Sequence, residues 1–348
     1  MYMASFKKSV RPEMPRAGLV SERDLDLIEA ILRYRFIPAS ALIRVVGGNE
    51  DVTHRRLRKL WEWGTINRWA FPGLRTHSEF HYYLDNRAAL DTLVLHERLP
   101  AAGVGMLDEI RDNRERGSAA AVLRGQHMQL GFLQHSLMIS RMHFMLEMSE
   151  RATECLLQSW AQGSQLAGRK VDVPRIKSSR VDNQYFWQES QSIERLPIEP
   201  DALFTLQFST RPEGDQLAHF FYEADRGTMT TTAMFRKFRA YWHFVKKQQH
   251  REAFGFHPVR AVLIETTTEA RARRLMELVR HPLIGGSDRR TGLFWFTISP
   301  LFTNKEPSEE TGGARVLPRW LTSPDGVMGP IWAMPDGNLR TLADVKNS

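Results

Sequence analysis

The sequence predicts an α/β chain, α+β overall, in two parts, and three observations carry that prediction. Residues 21–63 hold three short stretches with apolar side chains at helical spacing, followed by a hairpin pattern. Residues 202–209 and 218–224 are aromatic and aliphatic runs separated by Arg211-Pro212-Glu213-Gly214-Asp215, the composition of two antiparallel strands and their turn. A basic helix over 229–249, the apolar run Val259–Ile264, a helix over 268–280 and the run Leu293–Ile298 then follow. That order is typical of a mixed sheet crossed by helices.

In the first part, Ser21-Glu22-Arg23-Asp24 reads as a helix start, with Leu25, Leu27, Ile28, Ile31 and Leu32 as its apolar stripe. Ile37-Pro38 breaks this helix, Ala39–Val46 forms a second, and Gly47-Gly48 ends it. A third helix spans Val52–Trp63 and stops at Gly64. Leu57, Leu60 and Trp61 face inward, which leaves Arg55, Arg56, Arg58 and Lys59 on the solvent side. Ile66–Trp69, a Pro72-Gly73 turn and Phe80–Leu84 make the hairpin. Three short helices followed by a two-stranded hairpin is the winged helix-turn-helix arrangement, whose third helix enters the major groove while the wing follows the backbone. Thr53, His54 and Arg55 are the candidates for base edges. Arg56, Arg58, Lys59 and the wing arginines Arg68 and Arg75 are the candidates for phosphate.

A formal net charge of +8 over 348 residues and a pI near 9.7 favour a polyanionic partner, and the length suits about two domains. The single cysteine, Cys155, excludes a disulfide framework and a cysteine-rich zinc site, and suits a reducing cytoplasm. No apolar run approaches the ~20 residues of a membrane span, and the N-terminus lacks the apolar core of a signal peptide. The expected localisation is therefore cytoplasmic. The sequence has no Walker loop, dinucleotide fingerprint or zinc spacing.

The expected domains are a flexible arm at 1–20, the winged helix at 21–97, a charged linker at 98–118, an α/β domain at 119–302 and a C-terminal extension at 303–348. Residues 119–167 read as one long helical region with methionines as core filler, and 168–197 as polar and irregular apart from a strand near Gln184–Gln188. Trp320 and Trp332 anchor a loosely packed tail. Arg236, Lys237, Arg239, Lys246 and Lys247 decorate the basic helix.

The paired strands carry the second candidate site. Side chains alternate along a strand, so Glu223 and Asp225 share one side, and Asp201 at the start of the neighbouring strand joins them. Three carboxylates at strand ends suit a hard cation such as Mg²⁺. The alternative is that Glu223 and Asp225 pair with Arg226 or Arg236 and tie the sheet to the following helix.

Three segments together resemble the replication-relaxation family of plasmid and mobile-element proteins. They are the winged helix ending in Tyr82-Tyr83-Leu84, the segment Pro200–Phe204, and Tyr222–Thr228 followed by Lys237–Tyr241. The resemblance covers most of 20–300 and implies a DNA-binding accessory factor of replication or mobilisation, or a regulator of transcription carried on a mobile element. The second part also resembles the restriction-endonuclease-like fold, whose motif is Pro-Asp, a spacer, then Asp/Glu-x-Lys. Asp201 and Glu223 match it, whereas the lysine position holds Asp225, and Lys237 or Arg236 would have to supply the cation from the helix. The expectation is a double-stranded-DNA-binding homodimer, without a cofactor, whose nuclease-like part contacts its own copy or a replication, mobilisation or transcription partner. A Mg²⁺-dependent endonuclease using Asp201, Glu223, Asp225 and Lys237 is the alternative, and a pure protein-interaction module is the third.

Overall fold

The computed structural model describes residues 19–70, 79–84, 87–99, 130–150, 153–181, 184–256, 258–285, 292–299 and 326–344. The chain divides into two compact units, Met1–Phe144 and Met145–Ser348. Most of the expected arm, Arg75, the linker from residue 100 onward and Trp320 lie outside the described residues.

In the first unit, helix α1 spans Glu22–Tyr34, strand β1 Phe36–Pro38, helix α2 Ala39–Val46 and helix α3 Glu50–Glu62. Strands β2 (Asn67–Ala70) and β3 (Phe80–Tyr83) and helix α4 (Arg87–Leu95) follow. Ser21 caps α1 with a reciprocal bond between its backbone and Asp24, as the sequence cue indicates. Asn49 caps α3 by accepting the Val52 amide at 3.0 Å. Leu27, Ile28, Ile31, Leu42, Leu57, Leu60 and Ile66 are all fully buried and form the core on which the three helices converge. The hairpin is antiparallel, with Arg68 opposite Tyr82. Ile37-Pro38 does more than break a helix, because β1 pairs antiparallel with β3 and completes a three-stranded sheet in the order β1-β3-β2.

Helix α5 runs over Leu130–Glu150, with Met138, Met142 and Met145 buried. The expected continuation of helix to residue 167 is corrected, because β4 (Cys155–Gln162) is a strand paired antiparallel with β7 (Ala202–Phe208). Pairing decides it: Trp160 stacks on Phe204 with ring centroids 5.7 Å apart, a packing partner far away in sequence. The segment expected to be irregular is likewise ordered. Strands β5 (Arg169–Val181) and β6 (Gln184–Ile198) form a long two-stranded ribbon.

The core of the second unit is a seven-stranded mixed sheet in the order β12-β11-β10-β9-β8-β7-β4. Strand β8 (Leu217–Ala224) pairs antiparallel with β7, as the turn composition between them indicates. Helices α6 (Thr231–Lys246) and α7 (Gln249–Phe254) cross to β9 (Val259–Thr266), parallel to β8. Helix α8 (Glu269–Val279) crosses to β10 (Phe294–Ile298), parallel to β9. Strands β8 and β9 are buried on both faces, which is why they read as near-continuous apolar runs. Phe235, Phe238, Tyr241 and Phe244 of α6 pack with Phe221, Val262, Ile264, Phe294 and Phe296, each such ring contributing about 2 kcal/mol by burial. The described part of the tail, residues 326–344, is not loosely packed: β11 (Trp332–Ala333) and β12 (Leu339–Arg340) extend the sheet, and Trp332 and Leu342 are fully buried.

Among the described residues no helix is long and apolar enough to cross a membrane.

Candidate functional site

The sequence points to α3 and to the carboxylates of β7 and β8, and the structure sorts the residues at both. On α3, His54, Arg55, Arg58 and Lys59 are exposed. Residues 55, 58 and 59 lie three and four apart and share one outward face. Arg58 bonds Glu62 at 2.9 Å and His54 approaches Glu50 at 3.4 Å; both are exposed contacts one turn apart that restrain the side chains only weakly.

Thr53 and Arg56 depart from expectation. Thr53 is fully buried, its hydroxyl donating to the Asn49 carbonyl at 2.9 Å and accepting from Arg23, so it does not reach a base edge. Arg56 turns back to α1 and grips the fully buried Asp24, with Nε 2.6 Å from Oδ1 and a second bond donated by Nη2 to Oδ2. Burial opposes charge on Asp24, yet Arg56 and Ser21 outweigh it and hold the carboxyl below the usual carboxylate range. Arg56 is therefore a structural cation rather than a phosphate contact. Arg68 is also withdrawn. Its guanidinium lies 3.7 Å from the Trp61 ring centroid and 4.1 Å from that of Phe80, and its half-burial lowers its pKa.

The second group of residues sits where parallel strands end. Asp201 precedes β7, whose antiparallel direction brings it beside the carboxyl end of β8, and its Oδ2 accepts the Ala224 amide at 2.8 Å. Carboxyl ends of parallel strands are where open α/β sheets place their sites. Glu223 points under α6, 4% exposed, and is held by the Lys237 ammonium and the Tyr241 hydroxyl. Burial pushes the Glu223 carboxyl up to about 7; Lys237 opposes the rise and Asp201 adds to it. Burial also works against charge on Lys237, but Glu223, Asp201 and Asp225 outweigh it and keep the ammonium protonated.

Asp225 takes different partners. Its carboxylate accepts from Thr266 Oγ1 at 2.8 Å, Arg271 Nε at 3.0 Å and the Gly227 amide at 3.0 Å. Its own amide donates to the Glu265 carbonyl at 2.8 Å. Asp225 thus ties the ends of β8 and β9 to α8, and the turn behind it needs Gly227, whose φ is +74°. The expected convergence of Asp201, Glu223 and Asp225 on a cation is corrected. Among the described residues no group of three or more carboxylate, histidine or cysteine side chains is arranged to hold a metal ion. Glu223 and Asp225 are instead each directed at a cation of the protein, Lys237 and Arg271.

Sequence reasoning placed Lys237 at the site but missed Tyr241, Thr266, Arg271 and Glu265. Glu265 is buried on β9 and accepts from Tyr222 Oη at 2.6 Å. An acid directly after the apolar run Val259–Ile264, still inside the strand, is the signal that marks it. Arg236 goes to Glu194, and Arg239, expected on the helix surface, is fully buried against Glu189 at 2.6 Å and the Pro174 carbonyl at 2.9 Å.

The family model described as Replication-relaxation matches residues 30–259. No curated protein and no solved structure matches the chain.

Proposed function

The chain belongs to the replication-relaxation family, and from that premise we propose that it is a DNA-binding accessory protein in the replication, relaxation, mobilisation or transcription of a plasmid or mobile element. In this reading the first unit is a winged helix-turn-helix that meets double-stranded DNA through α3. The second unit is a restriction-endonuclease-like platform for dimerisation or for a partner protein, without a working metal site. The observation that carries the reading is the outward face of α3, where Arg55, Arg58 and Lys59 stand exposed while Thr53, Leu57 and Leu60 are buried beneath them. Such a face supplies phosphate contacts, and His54 beside it is the candidate for a base edge. The engagement of Glu223 and Asp225 by Lys237 and Arg271 supports a structural role for the second cluster.

The test is the affinity of the full chain for duplex DNA across a salt series. Replacing Arg55, Arg58 and Lys59 together with alanine is expected to flatten the dependence of log K on log salt by about 2.7, from about 0.9 per phosphate contact. It is also expected to weaken binding by about a hundredfold or more at moderate salt. Unchanged affinity and slope in that variant sink the reading.

One observation favours a metal-dependent endonuclease as the second reading: α6 delivers Lys237 to Glu223, so a lysine does arrive beside the acid that precedes Asp225 by two residues. It requires strand cleavage that depends on Mg²⁺ or Mn²⁺ and disappears in Glu223→Ala.

A further inference from the structure

The ribbon formed by β5 and β6 is not absorbed by either site. Its inner face is fixed by Val171, Val173, Leu196 and Ile198, all buried, and by Trp187, which stacks on Phe235 with centroids 3.9 Å apart. Strand alternation then turns Lys170, Lys177 and Phe186 outward. Arg175, at the register shift between Pro174 and Ile176, is exposed as well.

The charges divide unequally. Every acidic side chain of the ribbon among the described residues is taken by an arginine: Asp172 by Arg195 at 2.8 Å, Glu189 by Arg239 at 2.6 Å and Glu194 by Arg236. Among the described residues Lys170, Arg175 and Lys177 have no carboxylate partner. The C-terminal end of α6 adds to the same surface, since Lys247 Nζ donates to the Asp172 carbonyl at 2.7 Å with exposed Lys246 beside it. The result is a net positive strip whose acids are already neutralised from within.

We propose, on the DNA-binding reading given above, that this ribbon is a second nucleic-acid contact in which Lys170, Arg175 and Lys177 bind the phosphate backbone of duplex DNA. Thirteen residues at about 3.3 Å each make β5 roughly 40 Å long. A two-stranded ribbon fits the major groove of B-DNA, about 12 Å wide. Phosphate contacts carry no sequence information, so the ribbon adds affinity and positioning, while α3 supplies whatever base readout the protein has. A protein partner is the weaker fit, because acids left unpaired inside the strip would be needed to fix its register, and each is already engaged.

The experiment uses the full chain and a duplex of arbitrary sequence, comparing the parent with a Lys170→Gln/Arg175→Gln/Lys177→Gln variant across a salt series. These side chains are exposed, so the variant keeps its fold, which circular dichroism checks. The expected result is a slope of log K against log salt flatter by about 2.7 and affinity lower by about tenfold or more near 0.1 M salt. In a second readout, chemical acetylation of Lys170 and Lys177 in the parent falls when duplex is added. A parent that binds with a variant of equal slope and lysines that stay reactive overturns the ribbon contact and leaves the α3 reading standing. A parent with no salt-sensitive duplex binding overturns both. Tighter binding of single-stranded RNA than of duplex at equal salt, lost in the ribbon variant, overturns the choice of duplex DNA.

Discussion

Arg56→Ala is expected to destabilise the N-terminal unit by roughly 2–3 kcal/mol, although Arg56 lies on the same helix as the exposed Arg55, Arg58 and Lys59. The physical reason is Asp24. Its carboxylate is fully buried at the first turn of α1, and among the described residues Arg56 is its only partner that carries charge. Removing one member of a buried pair leaves the other without compensation, which costs more than the pair itself contributes. The estimate sits below the ~3–5 kcal/mol for fully enclosed pairs because Arg56 keeps 20% of its side chain in water. The folded Asp24 pKa is depressed, so the contribution is present above the unfolded value near 3.8 and fades as pH falls through the folded one. Hydrogen exchange of the α1 and α3 amides at pH 7 measures the loss directly. Arg55→Ala, Arg58→Ala and Lys59→Ala are each expected to change it by less than about 0.5 kcal/mol, as exposed substitutions do. Equal protection in Arg56→Ala and the parent would show that the Asp24 contact contributes nothing.

The second large effect lies under α6. Lys237→Met is expected to cost the second unit more at pH 8 than at pH 5, by about 1.4 kcal/mol for each pH unit above the parent's Glu223 value, because without the ammonium burial and Asp201 push that carboxyl further up and hold it protonated. The cost shrinks toward pH 5, because a carboxyl whose folded pKa is near 7 is then protonated and needs no counter-charge. The sign in the parent follows from the same value. A carboxyl raised from 4.5 to about 7 binds more protons when folded, so its contribution is complete below about 4.5 and is lost as pH rises through 7. Relative to Glu223→Gln, which cannot ionise, the parent should lose about 3 kcal/mol of unfolding free energy between those pH values and run parallel above them. Urea unfolding of both proteins from pH 4.5 to 8.5 reads this difference; a flat difference across that window rules the assignment out.

How much of this was legible in the sequence depends on whether the deciding interaction was local. The Ser21-to-Asp24 cap, the three helices of the first unit and the β7–β8 hairpin are written in spacings of a few residues, and the structure has them where those spacings place them. Arg56 is the instructive miss. Residues 53, 56, 57 and 60 lie three and four apart, so Thr53 and Arg56 share the buried stripe of Leu57 and Leu60, and the helical period alone places both inward. Arginine so placed needs an acid, and that acid is 32 residues back in the chain, where only the fold reveals it. Strand β4 was hidden for a related reason. Leu156, Leu157 and Trp160 carry no sharp period, and their strand state comes from pairing with β7. The β5–β6 ribbon was hidden because its outer face is mostly polar and its inner face is interrupted by Glu189 and the buried Glu194, whose partners Arg239 and Arg236 come from α6. At the carboxylates, alternation put Glu223 and Asp225 on one side of β8, but it could not show that Lys237 and Arg271 already occupy them.

The measurement that tests the central claim most directly is one gel of the purified chain with supercoiled plasmid, run with Mg²⁺, with Mn²⁺ and with EDTA over a salt series. The account predicts a shift that weakens steeply as salt rises, is the same in all three conditions and leaves the plasmid supercoiled. Absence of a salt-sensitive shift would contradict DNA binding through α3. Nicking that needs the metal and vanishes in Glu223→Ala would contradict the structural role given to Glu223 and Lys237, and make the second unit an enzyme.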